Sequence, residues 1–150
     1  MPSATRLKDT VEEFLAARND HNADRALRLL AEDVEWRLPS SVGAPLRGAR
    51  ARAALSGGLA RELFIPGTEH FHVKRVFSQR ERAVVEHTLT FTMRSGAVYA
   101  AQCCTVFDVL EHRITRVTSY TDTRAAELAL GEGAMEQALA AARSQRPAAG

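Results

Sequence analysis

VFDVLEHRITRVTSYTD, residues 106–122, holds two runs of alternating apolar and polar side chains on either side of a polar turn. Period-two alternation sends successive side chains to opposite faces, the pattern of a half-buried strand. The turn falls at Leu110 to Arg113, and the arms extend outward as AVYAAQCCTVFDV and RITRVTSYT, which predicts an antiparallel pair. In the second arm Val117, Ser119 and Thr121 share one face, while Thr118, Tyr120 and Asp122 share the other. Asp122 stands where the strand gives way to TRAAEL, a place where a carboxylate accepts backbone N–H bonds at the head of a helix.

Working upstream, HFHVKRVFSQ and RAVVEHTLTFTM carry the same period, with turns at Gln79 to Arg82 and Arg94 to Gly96, so the meander begins at His70. Before it, TRLKDTVEEFLAARNDHN sets Leu7, Val11, Phe14, Leu15 and Arg18 at helical spacing, with Asp9, Glu12 and Glu13 on the wetter side. NADRALRLLAED predicts a second, shorter helix capped by Asn22, with Ala26, Leu29 and Leu30 as its apolar stripe. DVEWRLP is a strand stopped by Pro39, SSVGAPLRG a loop, and ARAALSGGLARELF a third helix weakened in its middle by Gly57 and Gly58. Downstream, TRAAELALGEGAMEQALAAARSQ predicts a fourth helix interrupted near Gly131 and Gly133, followed by a frayed RPAAG.

At 150 residues, 45% apolar and 25% charged, the chain has the profile of one soluble domain with one core. A net charge of +2 spread along the chain sets up no field that would point to nucleic acid as a partner. No run of 18 apolar residues and no leader-like start is present, so neither a membrane partner nor export is expected and the location reads as cytoplasmic. Cys103 and Cys104 are neighbours whose side chains leave a strand on opposite faces, and they read as reduced. No cofactor is expected, since neither a glycine-rich phosphate loop nor a paired-cysteine metal site occurs.

Helices first, then a long meander with one strand supplied between the second and third helices, is an α+β order. The stretches VEEFLAARNDHNADRALRLLAEDVEW, LRGARARAAL and VFDVLEHRITRVTSYTD together resemble the nuclear transport factor two-like superfamily, and within it the SnoaL-like branch of polyketide cyclase and ketosteroid isomerase relatives. The resemblance implies a cone-shaped barrel, with helices packed in the concave face of a curved, mixed, mainly antiparallel sheet and an extra C-terminal helix. It implies a single domain over 1–150, with a core at about 7–123, a helical extension at 124–145 and a frayed tail at 146–150. It also implies a homodimer through the outer sheet face, here Val84, Glu86, Thr88, Thr90 and Thr92, then Val98, Gln102, Cys104 and Val106. The fold hosts isomerases, dehydratases, hydrolases, cyclases and proteins without catalysis, so function rests on the residues lining the cone.

Ketosteroid isomerases need an aspartate base and an oxyanion hole made by a tyrosine and a protonated aspartate. Matching VEEFLAARN, EDVEWRLP and QCCTVFDV to theirs puts Leu38 at the base, Phe14 at the tyrosine and Thr105 at the protonated aspartate, and neither a phenyl ring nor a leucine moves protons. Limonene epoxide hydrolases and SnoaL-type cyclases place an inward aspartate on the last strand, and here that position falls on Ser119. The arginine and second aspartate that the hydrolases use are matched by His87 and Leu89. The resemblance therefore implies chemistry without a carboxylate relay.

Strand parity puts Val34, Trp36 and Leu38, His87, Leu89, Phe91 and Met93, then Tyr99, Cys103, Thr105 and Phe107, and Val117, Ser119 and Thr121 on the inner face. His87, Tyr99 and Ser119 are the candidate catalytic groups, since His87 titrates near neutral pH and the two hydroxyls can donate to a carbonyl. Phe14, Trp36, Leu38, Leu89, Phe91, Cys103, Thr105 and Phe107 are the candidate substrate-binding residues. A core histidine bonded to a hydroxyl and a core tyrosine at a pocket rim fit the same positions. His70 and His72 have the spacing of paired metal ligands, but zinc wants three or four and no third accompanies them. Arg47, Arg50 and Arg52 are either an anion site at a helix start or a solvated face, and Cys103 is either a thiol nucleophile or a structural thiol. Two functions stay open: a small-molecule enzyme of bacterial secondary metabolism, such as antibiotic biosynthesis, that cyclises or isomerises an apolar polyketide-like substrate by shape and hydrogen bonding, and a non-catalytic ligand-binding or dimerisation module.

Overall fold

The computed structural model of the protein describes residues 4–59 and 61–144. Helix α1 (Ala4–Asn19) buries Leu7, Val11, Phe14, Leu15 and, at the same spacing, Arg18. Each aliphatic or aromatic side chain so buried contributes about 1.5–3 kcal/mol, which fixes the helix against the sheet more firmly than propensity does. Helix α2 (Ala23–Arg28) starts at Asn22, whose side chain accepts the Arg25 N–H at 3.1 Å.

The expected run of α2 through Leu29 and Leu30 is not what forms, because strand β1 (Leu30–Arg37) already begins at Leu30. Leu30 pairs in parallel with Ile114, the Ile114 N–H donates to the Leu29 carbonyl at 2.8 Å, and both side chains are fully buried. Long-range pairing outweighs the local helical pattern there, and the register along β1 shifts between Leu30 and Glu35. The stretch expected to be loop contains a two-residue strand, β2 (Leu46–Arg47), antiparallel to Glu35 and Trp36.

Helix α3 (Gly48–Gly57) ends at Gly58 instead of running on through a weak middle, and a short 3₁₀ turn (Arg61–Leu63) replaces its expected second half. Gly58 has φ +86°, and a Cβ there would lie 2.8 Å from a Glu69 carboxylate oxygen and 3.2 Å from Arg18 Nη2. Both the backbone and the neighbours require glycine.

Strands β3 (His70–Gln79), β4 (Arg82–Thr92), β5 (Val98–Leu110) and β6 (Arg113–Thr121) form the predicted meander. Between β5 and β6 only Glu111 and His112 make the turn, both at positive φ, 51° and 66°, as a twisted two-residue hairpin loop demands. The sheet order is β2-β1-β6-β5-β4-β3, with β1 parallel to β6 and every other pair antiparallel. β2 and β3 remain unpaired edges, so the curved sheet is an open cone and not a closed barrel. The C-terminal extension is two helices, α4 (Thr123–Leu130) and α5 (Ala134–Ser144), and the tail expected to fray, 146–150, lies outside the described residues.

The larger core cluster joins the helices to β1, β5 and β6 and includes Leu139 of α5. Phe14 and Phe107 meet edge-on within it, ring centroids 6.0 Å apart. A smaller cluster gathers Phe64, Phe91, Tyr99, Ala101 and Ala126. Met135 packs against both, and the space between them is the cavity described next.

Candidate functional site

The cavity has a volume of about 140 Å³. Phe14 reaches it from α1, Trp36 and Leu38 from β1 and the residue just beyond it, and His87, Leu89 and Phe91 from β4. Tyr99, Cys103, Thr105 and Phe107 come from β5, and Ser119 from β6 with Val117 and Thr121. Every residue nominated as catalytic or substrate-binding thus meets at one place: β4 and β5 keep a period of two, β6 keeps it from Val117 to Thr121 beyond a register shift near Ile114, and α1, β1 and the residue after β1 supply the rest. Two residues placed on the inner face stop short: Val34 is packed in the core, and Met93 forms an isolated bridge with Phe64 past the end of β4.

The polar groups of the wall are mostly paired with each other. His87 is 5% exposed, and its Nε2 lies 2.9 Å from Thr105 Oγ1 while Nδ1 is buried without a partner among the described residues. Burial lowers its pKa from 6.5 to about 4, so the imidazole is neutral at pH 7. The Trp36 indole N–H donates to Ser119 Oγ at 2.9 Å, which leaves the serine proton free to donate onward. Cys103 Sγ lies 3.3 Å from Thr121 Oγ1, and burial pushes the thiol above its ordinary range, the opposite of an activated nucleophile. Tyr99 stacks on Phe91 with centroids 4.5 Å apart; burial raises its pKa, which keeps the phenol protonated as a donor.

Sequence reasoning missed the charged part of the wall. Arg18 Nη2 donates to Glu69 Oε1 and Arg18 Nη1 to the Leu55 carbonyl, and the guanidinium lies 5.1 Å from the centre of the Phe71 ring. Both charged side chains are buried, at 6% and 9% exposure. Phe71 in turn packs against His87, centroids 5.5 Å apart. The signal for Arg18 was present, since it falls on the apolar stripe of α1, where an unpaired cation would be prohibitive. Glu69 precedes β3 and carries no pattern that marks it. It is the one carboxylate lining the cavity among the described residues, so an aspartate-arginine-aspartate relay has no counterpart here.

The remaining candidates lie elsewhere. Asp122 accepts the Ala125 N–H at 3.0 Å as the N-cap of α4 and does not line the cavity. His70 and His72 sit on the outer face of β3 with rings 4.4 Å apart, His72 Nε2 lies 2.9 Å from Thr90 Oγ1, and the described residues hold no group of three metal-ligating side chains. Arg47 lies 3.7 Å from Glu35, and Arg52 donates to the Leu27 carbonyl at 3.2 Å. No helix among the described residues is long and apolar enough to cross a membrane.

The SnoaL-like domain family matches residues 11–117 of the chain. Bal32a, from a soil-derived mobile gene cassette, superposes with a TM-score of 0.73 at 23% identity, covering 85% of this chain and 98% of its own. An LEH-like epoxide hydrolase of M. tuberculosis does so at 0.66 and 24% identity, covering 93% of this chain and 96% of its own. TerC, co-crystallised with polyporic acid, gives 0.70 at 20% identity, covering 82% of this chain and 96% of its own. At these identities the likeness is one of fold. No curated protein sequence matches the chain.

Proposed function

The chain belongs to the SnoaL-like domain family, and from that premise we propose that it is a small-molecule enzyme of bacterial secondary metabolism that cyclises or isomerises an apolar, polyketide-like substrate. The observation that carries this reading is the convergence of His87, Tyr99 and Ser119 on one apolar cavity whose other walls are Phe14, Trp36, Leu38, Leu89, Phe91 and Phe107. A protonated phenol and a hydroxyl with a free proton are suited to polarising a carbonyl. A neutral imidazole with a pKa of about 4 is a weak base, so the reaction it can assist is one whose substrate is already acidic or enolised. Ring closure of such a chain balances within the molecule: a carbon gives up its proton, the new carbon–carbon bond forms at the carbonyl carbon, and the carbonyl oxygen gains a proton. Holding the chain folded supplies most of the acceleration. TerC, co-crystallised with polyporic acid, supports an organic ligand for a chain of this fold. The single domain proposed over 1–150 pairs through the outer sheet face, where Val98 is 70% exposed and Gln102 is open to solvent. Light scattering that returns a monomer at working concentration removes that part.

The pairing of the wall's polar groups favours a second reading, a ligand-binding module without chemistry. Native mass spectrometry of the purified protein identifies what the cavity retains, and incubation with that molecule then separates the two. The enzyme reading expects a product of unchanged mass and altered chromatographic mobility, formed at least about tenfold more slowly by Tyr99→Phe and His87→Gln. Recovery of the molecule unaltered after prolonged incubation leaves only the binding module.

A further inference from the structure

The family match stops at residue 117, before α4 and α5. Yet Leu130, Met135 and Ala138 of those helices line the cavity. Leu130 and Ala138, with Gly58 and Leu59, also line a second cleft of about 350 Å³ between α3, the 3₁₀ turn and α5. These four residues are therefore the partition between the inner cavity and a space outside it. Leu139 is buried against Gly43, where a Cβ would come within 2.8 Å of its Cδ2, and Arg143 donates to the Ala44 carbonyl, so α5 is anchored at its far end. Its near end joins α4 through Gly131 and Gly133, at φ +102° and +75°, with nothing crowding either position.

With the partition in place the cavity, about 140 Å³, matches the roughly 150 Å³ of an engineered void that holds one benzene and falls well below the roughly 300–1,000 Å³ of drug-sized sites. The charges in its wall are already matched, Arg18 by Glu69, and His87 is neutral, so an anion finds no unpaired cation among the described lining residues. We propose that Met135 and Ala138 are the specificity-determining residues of the cavity, limiting it to a neutral ligand of about one ring. This narrows the polyketide-like substrate proposed above and rests on that small-molecule reading.

Trp36 lines the cavity and is the only tryptophan in the chain, so its emission reports occupancy. The probes are two neutral ketones, cyclohexanone with one ring and 2-decalone with two fused rings. Wild type is expected to bind cyclohexanone the more tightly. Met135→Ala is expected to tighten 2-decalone by about tenfold, the effect of accommodating a further two methylenes. Ala138→Leu is expected to weaken cyclohexanone by about tenfold with no fall in Tm. Equal wild-type affinity for the two ketones, or a preference for 2-decalone, overturns the proposal. So does an unchanged ratio in the variants, and in that case the small-molecule reading stands. If wild type binds neither ketone, the small-molecule reading fails and takes the size limit with it. Should Met135→Ala not fold, Ala138→Leu decides alone, because it adds volume toward the cavity and removes no core contact.

Discussion

A histidine on an inward strand face is recognisable from its neighbours, but its charge is not, because charge depends on what covers it. His87 is covered by Phe71 and has Thr105 as its single hydrogen-bond partner among the described residues. Arg18, Glu69, Tyr99 and Cys103 line the same cavity, with the two charges paired to each other. The folded pKa of about 4 lies below the ordinary 6.5. Between these values the unfolded chain binds the extra proton, so stability is complete above pH 6.5 and declines as pH falls, down to about 4. The gap is worth about 3 kcal/mol at most. His87→Gln removes the titration and keeps a partner for Thr105. Urea unfolding of both proteins from pH 7 to pH 4 is expected to show wild type losing about 2–3 kcal/mol more than the variant over that interval. Parallel curves would mean that the ring is not held neutral by burial. Carboxylates such as Glu35, whose pKa the Arg37 hydrogen bond lowers, are common to both proteins and cancel.

Elements were legible wherever local pattern and tertiary surroundings agree. β4 and β5 agree, since alternation places one set of side chains inward along their length and polar turns close each hairpin, whereas register shifts interrupt the alternation in β3 and β6. α2 and β1 do not, because Leu29 and Leu30 satisfy a helical stripe as well as a strand, and only the pairing of Leu30 with Ile114 decides between them. α3 ends where its two glycines stand for a reason that lies outside the helix, the approach of Arg18 and Glu69 to Gly58. Asp122 was readable as a cap from its place between strand and helix, and it is one. Asp122→Ala is expected to cost about 1 kcal/mol in urea unfolding, because the Ala125 N–H loses its acceptor. The same variant is expected to leave the quenching of Trp36 by cyclohexanone within about twofold, since a cap loss of this size acts on stability and not on the cavity wall. A large loss of binding with unchanged stability would return Asp122 to the site.

At the scale of the molecule, strand parity brought the nominated residues to one cavity, while the parts supplied by segments without a period escaped: Glu69 ahead of β3, and the wall formed by α4 and α5. The Arg18–Glu69 pair shows what such a part does. It links the last turn of α1, the Leu55 carbonyl in α3 and the residue before β3, so three segments distant in the chain depend on one buried contact. Two charges removed from water recover their desolvation cost only while they face each other. Glu69→Leu strands a guanidinium inside the protein and is expected to destabilise it by about 3–5 kcal/mol. Adding Arg18→Met removes the stranded charge, and the double variant is expected to return to within about 1 kcal/mol of wild type or to exceed it. Urea unfolding of the three proteins measures this directly. If Glu69→Leu costs under about 1 kcal/mol, the pair is solvated and contributes as little as a surface ion pair does. If the double variant stays as unstable as the single, the loss came from leucine packing in place of Glu69 and not from charge, and the wall of the cavity is held by shape alone.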